Sequence, residues 1–249
     1  MGYTIAVCGK GGTGKTTIAG LIVSWLTKTK KSQILAVDAD PNYCFAETLG
    51  LQVHENIGQI VDNLSKNPDT IPQGMSKQDY IDYQTETNLL EGNGFDVLVM
   101  GRPEGPGCYC YVNNVLRGIV KKLIDSYTFV VVDNEAGLEH LSRRTTRAAN
   151  ALFVVSDPSQ VGIRSAVRIQ NLIKELEIKV GRSMLLVNRA DESFNPSEQL
   201  KGSGLEFIGT VPEDKELLRI SIEGKSLLEL NQSSAALCAV ERICDQLWQ

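Results

Sequence analysis

Seven short apolar runs recur along the chain, and longer segments of mixed polarity separate them. These runs are Tyr3–Val7, Ile34–Val37, Phe95–Met100, Phe129–Val132, Ala151–Val155, Met184–Val187 and Phe207–Val211. Because their Val, Ile and Leu residues are continuous rather than alternating with polar ones, they are typical of strands buried on both faces.

The segments between several of these runs have the length and periodicity of crossover helices. We predict helices over Lys15–Lys28, Asn113–Ser126, Ser159–Leu176 and Ser226–Trp248. Strands that alternate with helices indicate an α/β fold with a mostly parallel, doubly wound sheet flanked by helices. No repeat or linker interrupts the pattern, so we expect a single domain over residues 1–249. Residues 52–94 are the least regular part, and we interpret them as an insertion or a partner surface.

The composition narrows the class of protein. The chain has 249 residues, of which 42% are hydrophobic and 22% charged, as in a folded globular domain. Its 25 basic and 30 acidic residues give a net charge of −5, which favours neither nucleic acid nor an anionic membrane as a partner. The six cysteines are scattered, Met1 is not followed by a signal peptide, and no apolar stretch approaches the roughly 20 residues of a membrane span. We therefore expect a cytoplasmic protein.

A glycine-rich loop directly follows the first predicted strand and opens the first predicted helix. Its sequence, Gly9-Lys10-Gly11-Gly12-Thr13-Gly14-Lys15-Thr16-Thr17, satisfies the pattern G-x-x-x-x-G-K-[ST]. Such a loop wraps phosphates with its N–H groups, while the lysine reaches the β and γ phosphates and the hydroxyl ligates Mg²⁺. The fold is therefore predicted to be that of a P-loop NTPase. The residues assigned to the nucleotide here are Gly11, Gly12, Thr13, Gly14, Lys15, Thr16 and Thr17.

Acidic residues follow two other predicted strands, in Asp38-Ala39-Asp40-Pro41 and in Asp133-Asn134-Glu135-Ala136-Gly137. The carboxyl ends of the strands form the ligand crevice of a doubly wound sheet. Asp38 and Asp40 alone are compatible with a turn and a helix cap, but together with the phosphate loop they indicate a Mg²⁺-dependent hydrolase.

Two later strand ends are candidates for contacts to the base. They are Asn188-Arg189-Ala190-Asp191 and Val211-Pro212-Glu213-Asp214. The first is similar to the N-K-x-D element that reads guanine in GTPases, so the pattern alone leaves adenine and guanine both open.

Two cysteines one residue apart, Cys108 and Cys110, lie in the Gly/Pro-rich segment 101–112. In an extended loop both thiolates face one side and can bind one metal ion, and two copies of the chain would supply four thiolates. A pair of incidental cysteines is the alternative. We interpret Cys8 and Cys44 as small packing residues near the nucleotide loops and Cys238 and Cys244 as core residues. We interpret His54 and His140 as structural, with a relay of conformational change as the alternative for His140.

The loop form K-G-G-T-G-K-T-T, with its additional Lys10, resembles the deviant Walker A loop of the nitrogenase iron protein, MinD, ParA and the arsenite-pump ATPase. This resemblance implies a homodimer in which Lys10 reaches the partner's nucleotide. It also implies that Asp38 lies near Mg²⁺, that Asp40 orients or deprotonates the attacking water, and that Asp133 is the Walker B carboxylate. Gly137 would then be the switch II glycine. The resemblance favours adenine, held by Asn188, Pro212 and Glu213, while Arg189 is either a base-stacking residue or a surface cation.

Two further features are the sequence G-C-Y-C, which contains Cys108 and Cys110, and the run Ala136–Leu141. Together with the phosphate loop and Asp38-Ala39-Asp40-Pro41, they make the whole chain resemble the CooC and AcsF type of nickel-maturation ATPase. That resemblance implies Mg²⁺-dependent ATP hydrolysis and Ni²⁺ bound at Cys108 and Cys110 of both subunits. It also implies that ATP binding and hydrolysis are coupled to the binding or release of this ion, and that the client is a carbon monoxide dehydrogenase or an acetyl-CoA synthase. Zn²⁺ would also suit these thiolates. Three alternatives stay open: an iron-sulfur carrier or reductase of the nitrogenase iron protein type, a MinD- or ParA-like positioning ATPase, and a non-catalytic adaptor controlled by nucleotide. The acidic C-terminal segment, with Glu229, Glu241 and Asp245 against Arg242, argues against a MinD-like membrane helix.

Overall fold

Strands from the whole length of the chain form one sheet. The computed structural model describes residues 2–30, 32–40, 42–101, 118–119, 121–135 and 148–248. Within them the strands are β1 (Tyr3–Gly9), β2 (Ile34–Asp38), β3 (Leu90–Glu91), β4 (Asp96–Val99), β5 (Phe129–Asp133), β6 (Ala148–Ser156), β7 (Lys179–Asn188) and β8 (Glu206–Val211). Each of the seven predicted apolar runs therefore contributes a strand, and only the two-residue β3 was not predicted.

The strand order places β1 near the centre of the sheet. The order is β3-β4-β2-β5-β1-β6-β7-β8. Every neighbouring pair is parallel except β3 with β4. The sheet extends from β1 on one side through β5, β2 and β4 to β3, and on the other side through β6 and β7 to β8. The predicted doubly wound α/β fold is confirmed, and its switch point lies at the carboxyl end of β1.

Helices cover both faces of this sheet. They are α1 (Lys15–Thr29), α2 (Cys44–Thr48), α3 (Ile57–Lys66), α4 (Lys77–Thr87), α5 (Gln160–Glu175), α6 (Ser197–Leu200), α7 (Lys215–Glu223) and α8 (Ala235–Leu247). Residues 121–126 are also helical, and short 3-10 turns occupy Pro68–Thr70 and Leu227–Glu229. Within the ranges given above, no helix combines the length and apolar character needed to span a bilayer.

Alternate residues of each central strand enter different cores. In β1, Ile5 and Val7 join the cluster packed on α1 and α8, whereas Ala6 and Cys8 join the cluster packed on α5. β2 divides in the same way, with its alternate residues shared between the α1 core and the core beneath α3. Because both sets are fully apolar, these strands lack polar alternation in the sequence.

The segment 52–94 is more regular than the sequence predicted. α3 begins at a capping box in which Asn56 accepts from the N–H of Gln59 and the Gln59 side chain accepts from the N–H of Asn56. α4 is capped by Ser76, which accepts from the N–H of Asp79. The apolar face of α3 packs on the β2 and β4 side of the sheet. The segment is thus part of the helical layer, and its interpretation as a partner surface stays a prediction.

The C-terminal region departs from the single helix predicted over Ser226–Trp248. The structure places a 3-10 turn at Leu227–Glu229 and starts α8 only at Ala235. Asn231 and Ser234 fold the intervening polar residues into a turn, since the N–H of Ser234 donates to the carbonyl of Asn231 at 2.9 Å. The preceding helix, α7, was not predicted, because only one of its residues, Ile220, is buried.

Asp214 holds the starts of α7 and α8 together. It caps α7 by accepting from the N–H groups of Glu216 at 2.8 Å and Leu217 at 3.2 Å. Its other oxygen accepts from the Ser234 hydroxyl at 2.7 Å and from the N–H of Ala236 at 3.1 Å, at the start of α8. Burial opposes ionisation of this carboxyl, but these hydrogen bonds outweigh it and lower the Asp214 pKa.

We predict that Asp214→Ala lowers the free energy of unfolding by about 1–3 kcal/mol, because two helix starts lose their cap. A pKa that is lower in the folded state stabilises the fold above the unfolded pKa, and this contribution is lost as the pH falls through the folded pKa. Urea titration should therefore show the largest difference from the wild-type protein near neutral pH and a smaller one below about pH 4. The exposed Asp69, replaced by Ala, is the control. A difference that does not change with pH would contradict this account of Asp214.

Candidate nucleotide site

The phosphate loop spans the space between the end of β1 and the start of α1, at the switch point of the sheet. Gly12 and Gly14 have φ angles of +79° and +91°, a region that favours glycine. Gly14 is the N-cap of α1 and has no side chain with which to cap the helix, and the first turn of α1 contains no acidic residue. The N–H groups and the positive end of α1 are therefore available to an anion.

The two lysines of the loop differ in burial. Lys15 is only 8% exposed, and its Nζ lies 3.4 Å from the carbonyl oxygen of Lys10, inside the loop. The same carbonyl accepts from the Thr13 hydroxyl at 2.9 Å. The Lys10 side chain is exposed. The structure thus holds one ammonium group inside the loop and leaves the other at its rim.

Thr16 and Asp133 meet beneath the loop. The Thr16 hydroxyl donates to Asp133 Oδ2 at 2.6 Å. Asp133 is 1% exposed, and its Oδ1 has no hydrogen-bond partner among the described residues. Burial raises the Asp133 pKa to about 6, against the opposing effects of the Thr16 hydrogen bond and the Lys15 charge. A buried carboxylate with an unpartnered oxygen next to a hydroxyl suits a hard cation such as Mg²⁺.

Asp38 connects this position with the start of α2. It lies opposite Asp133 in the pairing of β2 with β5. Its Oδ2 accepts from the N–H groups of Phe45 at 2.8 Å and Ala46 at 3.3 Å, and its Oδ1 accepts from the N–H of Asp40 at 3.2 Å. Burial and then the Asp133 charge raise the Asp38 pKa to about 7. Asp38 therefore organises the segment 38–46 in addition to lying beside Asp133.

Asp40 stands on the same segment and is half-buried. Its Oδ1 accepts from the N–H and the side-chain amide of Asn42, at 2.9 and 3.1 Å. These bonds fix the carboxylate in a turn that begins at the strand end, next to Asp38. The predicted role of Asp40 with the attacking water stays a prediction.

The two predicted base-side loops lie together. The N–H of Ala190 donates to the carbonyl of Val211 at 3.2 Å. This bond joins the Asn188 and Arg189 loop to the half-buried Pro212 and the exposed Glu213. Asn188 also contacts the phosphate loop directly, because its side-chain amide donates to the carbonyl oxygen of Thr13 at 2.9 Å.

The predicted Ni²⁺ ligands Cys108 and Cys110, the switch II residue Gly137 and His140 lie outside the described residues. Within those residues, no group of three or more His, Cys, Asp or Glu side chains is arranged to hold a metal ion. The structure gives no position for the predicted nickel site.

The other cysteines divide by burial. Cys8 is fully buried, as predicted, and burial raises its thiol pKa to about 12 despite the Lys15 charge. Cys244 is buried, and Cys238 is half-buried rather than in the core. The interpretation of Cys44 as a packing residue is wrong, because Cys44 is exposed at the start of α2, where its thiol donates to the carbonyl of Asn42 at 3.6 Å. His54 is also exposed.

Two polar residues at this edge were not predicted as site residues. Asn134 is 1% exposed, and its Nδ2 donates to the carbonyl of Val7 at 3.0 Å, which ties β5 to β1 beneath the loop. Asp157 follows β6 and accepts from the N–H of Ser159 at 2.8 Å. Hydrogen bonding from Ser159 and, more weakly, the charges of Lys10 and Arg189 lower the Asp157 pKa. The only signal in the sequence for either residue is its place just after an apolar run.

Comparison with known proteins gives one family and several relatives. A family model described as the CobQ/CobB/MinD/ParA nucleotide binding domain matches residues 4–228. An uncharacterized ATP-binding protein of Methanocaldococcus jannaschii is 42% identical over 98% of this chain and 97% of its own length. The carbon monoxide dehydrogenase accessory protein CooC of Rhodospirillum rubrum is 26% identical over 91% of this chain and 90% of its own. The septum site-determining protein MinD of Pyrococcus horikoshii, solved with Mg-ADP, has the same fold with a TM-score of 0.70, at 18% identity over 100% and 97% of the two chains.

We predict that Asp133→Asn raises the melting temperature of the metal-free protein while it weakens Mg²⁺-dependent nucleotide binding. A carboxyl whose pKa is higher in the folded state costs stability when it is ionised at neutral pH, and the neutral amide avoids that cost. The same change removes an anionic ligand of the cation. Thermal unfolding without Mg²⁺, and calorimetric titration with ADP with and without Mg²⁺, measure the two effects. A lower melting temperature together with unchanged Mg²⁺ dependence would contradict the assignment.

Proposed function

Because this chain belongs to the CobQ/CobB/MinD/ParA nucleotide-binding domain family, we propose that it is a homodimeric, Mg²⁺-dependent ATPase that takes part in nickel insertion. Its client would be a carbon monoxide dehydrogenase or an acetyl-CoA synthase. The observation that carries the ATPase part is the hydrogen bond from Thr16 to the buried Asp133, beneath a phosphate loop that holds Lys15 inside. The second carboxylate oxygen of Asp133 has no partner among the residues that the structure describes.

In the proposed ATP hydrolysis, different residues bind the phosphates, hold the cation and orient the attacking water. The N–H groups at the start of α1 and the Lys15 ammonium bind the phosphates, and the Thr16 hydroxyl and Asp133 hold Mg²⁺, which neutralises phosphate charge when bound. Asp40 orients the attacking water and takes its proton. The oxygen of that water forms a bond to the γ phosphorus as the bond to the β-phosphate oxygen breaks, so the products are ADP and phosphate.

Dimerisation is proposed from the position of Lys10. Its side chain is exposed at the rim of the loop, where a second subunit can receive it. Lys10 of one subunit would then approach the phosphates bound by the other, as the deviant Walker A resemblance implies. Gly137 would report the γ-phosphate to the neighbouring segment.

The nickel part of the proposal is supported by two independent facts. The chain carries the pair Cys108 and Cys110, and a relative similar along nearly its whole length is named as a carbon monoxide dehydrogenase accessory protein. Two such pairs across a twofold axis would offer four thiolates to one Ni²⁺ ion, which is the cargo of the protein. Zn²⁺ would compete at the same ligands, because four sulfur atoms do not by themselves select nickel.

We predict that Lys15→Ala lowers the rate of ATP hydrolysis by about 10²–10³-fold, because one preorganised positive charge on the reacting phosphates is lost. A phosphate-release assay at saturating Mg-ATP measures the effect. The exposed Lys66 on α3, replaced by Ala, is the control and should keep the wild-type rate. Equal rates for wild type and Lys15→Ala would remove the P-loop from the mechanism.

We also predict that Cys108→Ala with Cys110→Ala abolishes high-affinity Ni²⁺ binding but leaves ATP binding unchanged. Equilibrium dialysis against Ni²⁺ or Zn²⁺, with light scattering for the dimer, should give one thiolate-bound ion per wild-type dimer. The matched control is Cys44→Ala with Cys238→Ala, which removes two partly or fully exposed thiols elsewhere and should retain the ion.

The outcomes of this experiment separate the rival functions. Unchanged Ni²⁺ binding in the Cys108 and Cys110 variant would overturn the nickel site and favour a MinD- or ParA-like ATPase. Iron and acid-labile sulfide in anaerobically purified protein, lost in the same variant, would favour the iron-sulfur alternative. Nucleotide-dependent dimers without hydrolysis would favour the adaptor.

A further inference from the structure

The phosphate loop is held from outside by a residue pair at the end of β7. Asn188 Nδ2 donates to the carbonyl oxygen of Thr13 at 2.9 Å, in a buried hydrogen bond between residues 175 positions apart. The guanidinium of Arg189 donates to the carbonyl oxygen of Gly12 at 3.4 Å. Two consecutive carbonyl groups of the loop are thus bonded to two consecutive side chains of another strand end.

Asn188 is itself fixed in place. It is 8% exposed, and its Oδ1 accepts from the N–H of Arg189 at 3.0 Å. Arg189 has a φ angle of +57°, an uncommon conformation for a residue with a side chain. This backbone turn directs one side chain after the other toward the loop. Both the oxygen and the nitrogen of the Asn188 amide are therefore already engaged within the protein.

Gly14 is matched to this amide. A Cβ atom at residue 14 would lie 2.4 Å from Asn188 Nδ2, closer than any real Cβ contact, and the residue has a φ angle of +91°. A side chain at this position would displace the amide. Gly14 therefore allows the Asn188 side chain, as well as a phosphate, to come close to the backbone of the loop.

These bonds determine which way the loop presents its N–H groups. In a trans peptide the C=O of one residue and the N–H of the next point in opposite directions. When Asn188 holds the Thr13 carbonyl, the N–H of Gly14 faces away from Asn188. A glycine-rich loop without such bonds samples many conformations, including those in which carbonyl oxygens face and repel a phosphate.

We propose that Asn188 and Arg189 are positioning residues of the phosphate loop, which hold the Thr13 and Gly12 carbonyls outward so that the loop is ready for phosphate before a nucleotide binds. This role rests on the ATP binding proposed above. It differs from base recognition, because it acts on the phosphates and requires no base. Asn188 carries most of the effect, since its bond is shorter and buried, whereas Arg189 is exposed.

A ligand without a base separates the two roles. We expect Asn188→Asp, which places a carboxylate oxygen against the Thr13 carbonyl, to weaken binding of both Mg-ATP and Mg-tripolyphosphate by about tenfold or more. Asn188→Ala should give a smaller loss of the same kind. Calorimetric titration of both ligands into each variant measures the affinities.

The matched control is Asn195→Asp. It makes the same chemical change at an exposed position. Among the residues that the structure describes, the Asn195 side chain accepts from the N–H and the hydroxyl of Ser197 and donates to none, so a carboxylate keeps these bonds. This variant should bind both ligands as the wild type does. Wild-type affinity of Asn188→Asp for tripolyphosphate, with only ATP binding weakened, would overturn the positioning role and leave a base contact.

A measurement on the free protein makes the test independent of the proposed ATPase function. Hydrogen exchange of residues 10–16 should become faster in Asn188→Asp than in Asn195→Asp, while exchange in β1 and β7 stays unchanged. Equal exchange in the loop of the two variants would also overturn the proposal. If the wild type bound neither ATP nor tripolyphosphate, the ATPase function would fail, and the exchange data would still decide whether Asn188 orders the loop.

Discussion

Asp38 and Asp133 lie opposite each other at the ends of two neighbouring parallel strands, with almost no exposure to solvent. Burial raises the pKa of both carboxyls, and the Asp133 charge raises that of Asp38 further. Two carboxylates so placed are costly unless positive charge or hydrogen-bond donors surround them. The surrounding elements supply these. The backbone N–H groups of Asp40, Phe45 and Ala46 donate to Asp38, the Thr16 hydroxyl donates to Asp133, and the Lys15 ammonium lies nearby.

The same arrangement explains why the site suits a nucleotide with its cation. Both oxygens of Asp38 accept hydrogen bonds, whereas one oxygen of Asp133 has no partner in the part of the chain that the structure describes. The unpartnered oxygen of Asp133 lowers the stability of the free protein, and a divalent cation bound to that oxygen would restore it. Asp38 lies beside Asp133 and accepts from the N–H groups of Asp40, Phe45 and Ala46, so it connects the Asp133 position with the backbone that carries Asp40. The coupling of hydrolysis to Ni²⁺ binding or release that the nickel-maturation resemblance implies would start from this connection.

Away from the phosphate loop, a cluster of aromatic side chains packs around Trp248. Trp248 packs on Trp25 at 5.5 Å, on Tyr3 at 5.8 Å and on Phe153 at 6.0 Å between ring centroids. The Trp25 indole N–H donates to Asp245 at 2.8 Å. These contacts hold the end of α8 beside Tyr3 at the start of β1. The seven residues of β1 place Tyr3 about 20 Å from Gly9, where the phosphate loop begins. Both tryptophans of the chain belong to this cluster.

The sequence by itself determined the features that depend only on residues adjacent in the chain. The phosphate loop is a contiguous pattern whose local geometry follows from its glycines, and the strands follow from continuous apolar runs. Only the tertiary structure decided which distant groups meet. Asn188 reaches Thr13 and Asp214 spans two helix starts because the strand ends converge at one edge of the sheet, and strand order is not written in any local pattern. The exposure of Cys44 against the burial of Cys8, and the short helix α7 with its single buried residue, likewise depend on what packs against each segment.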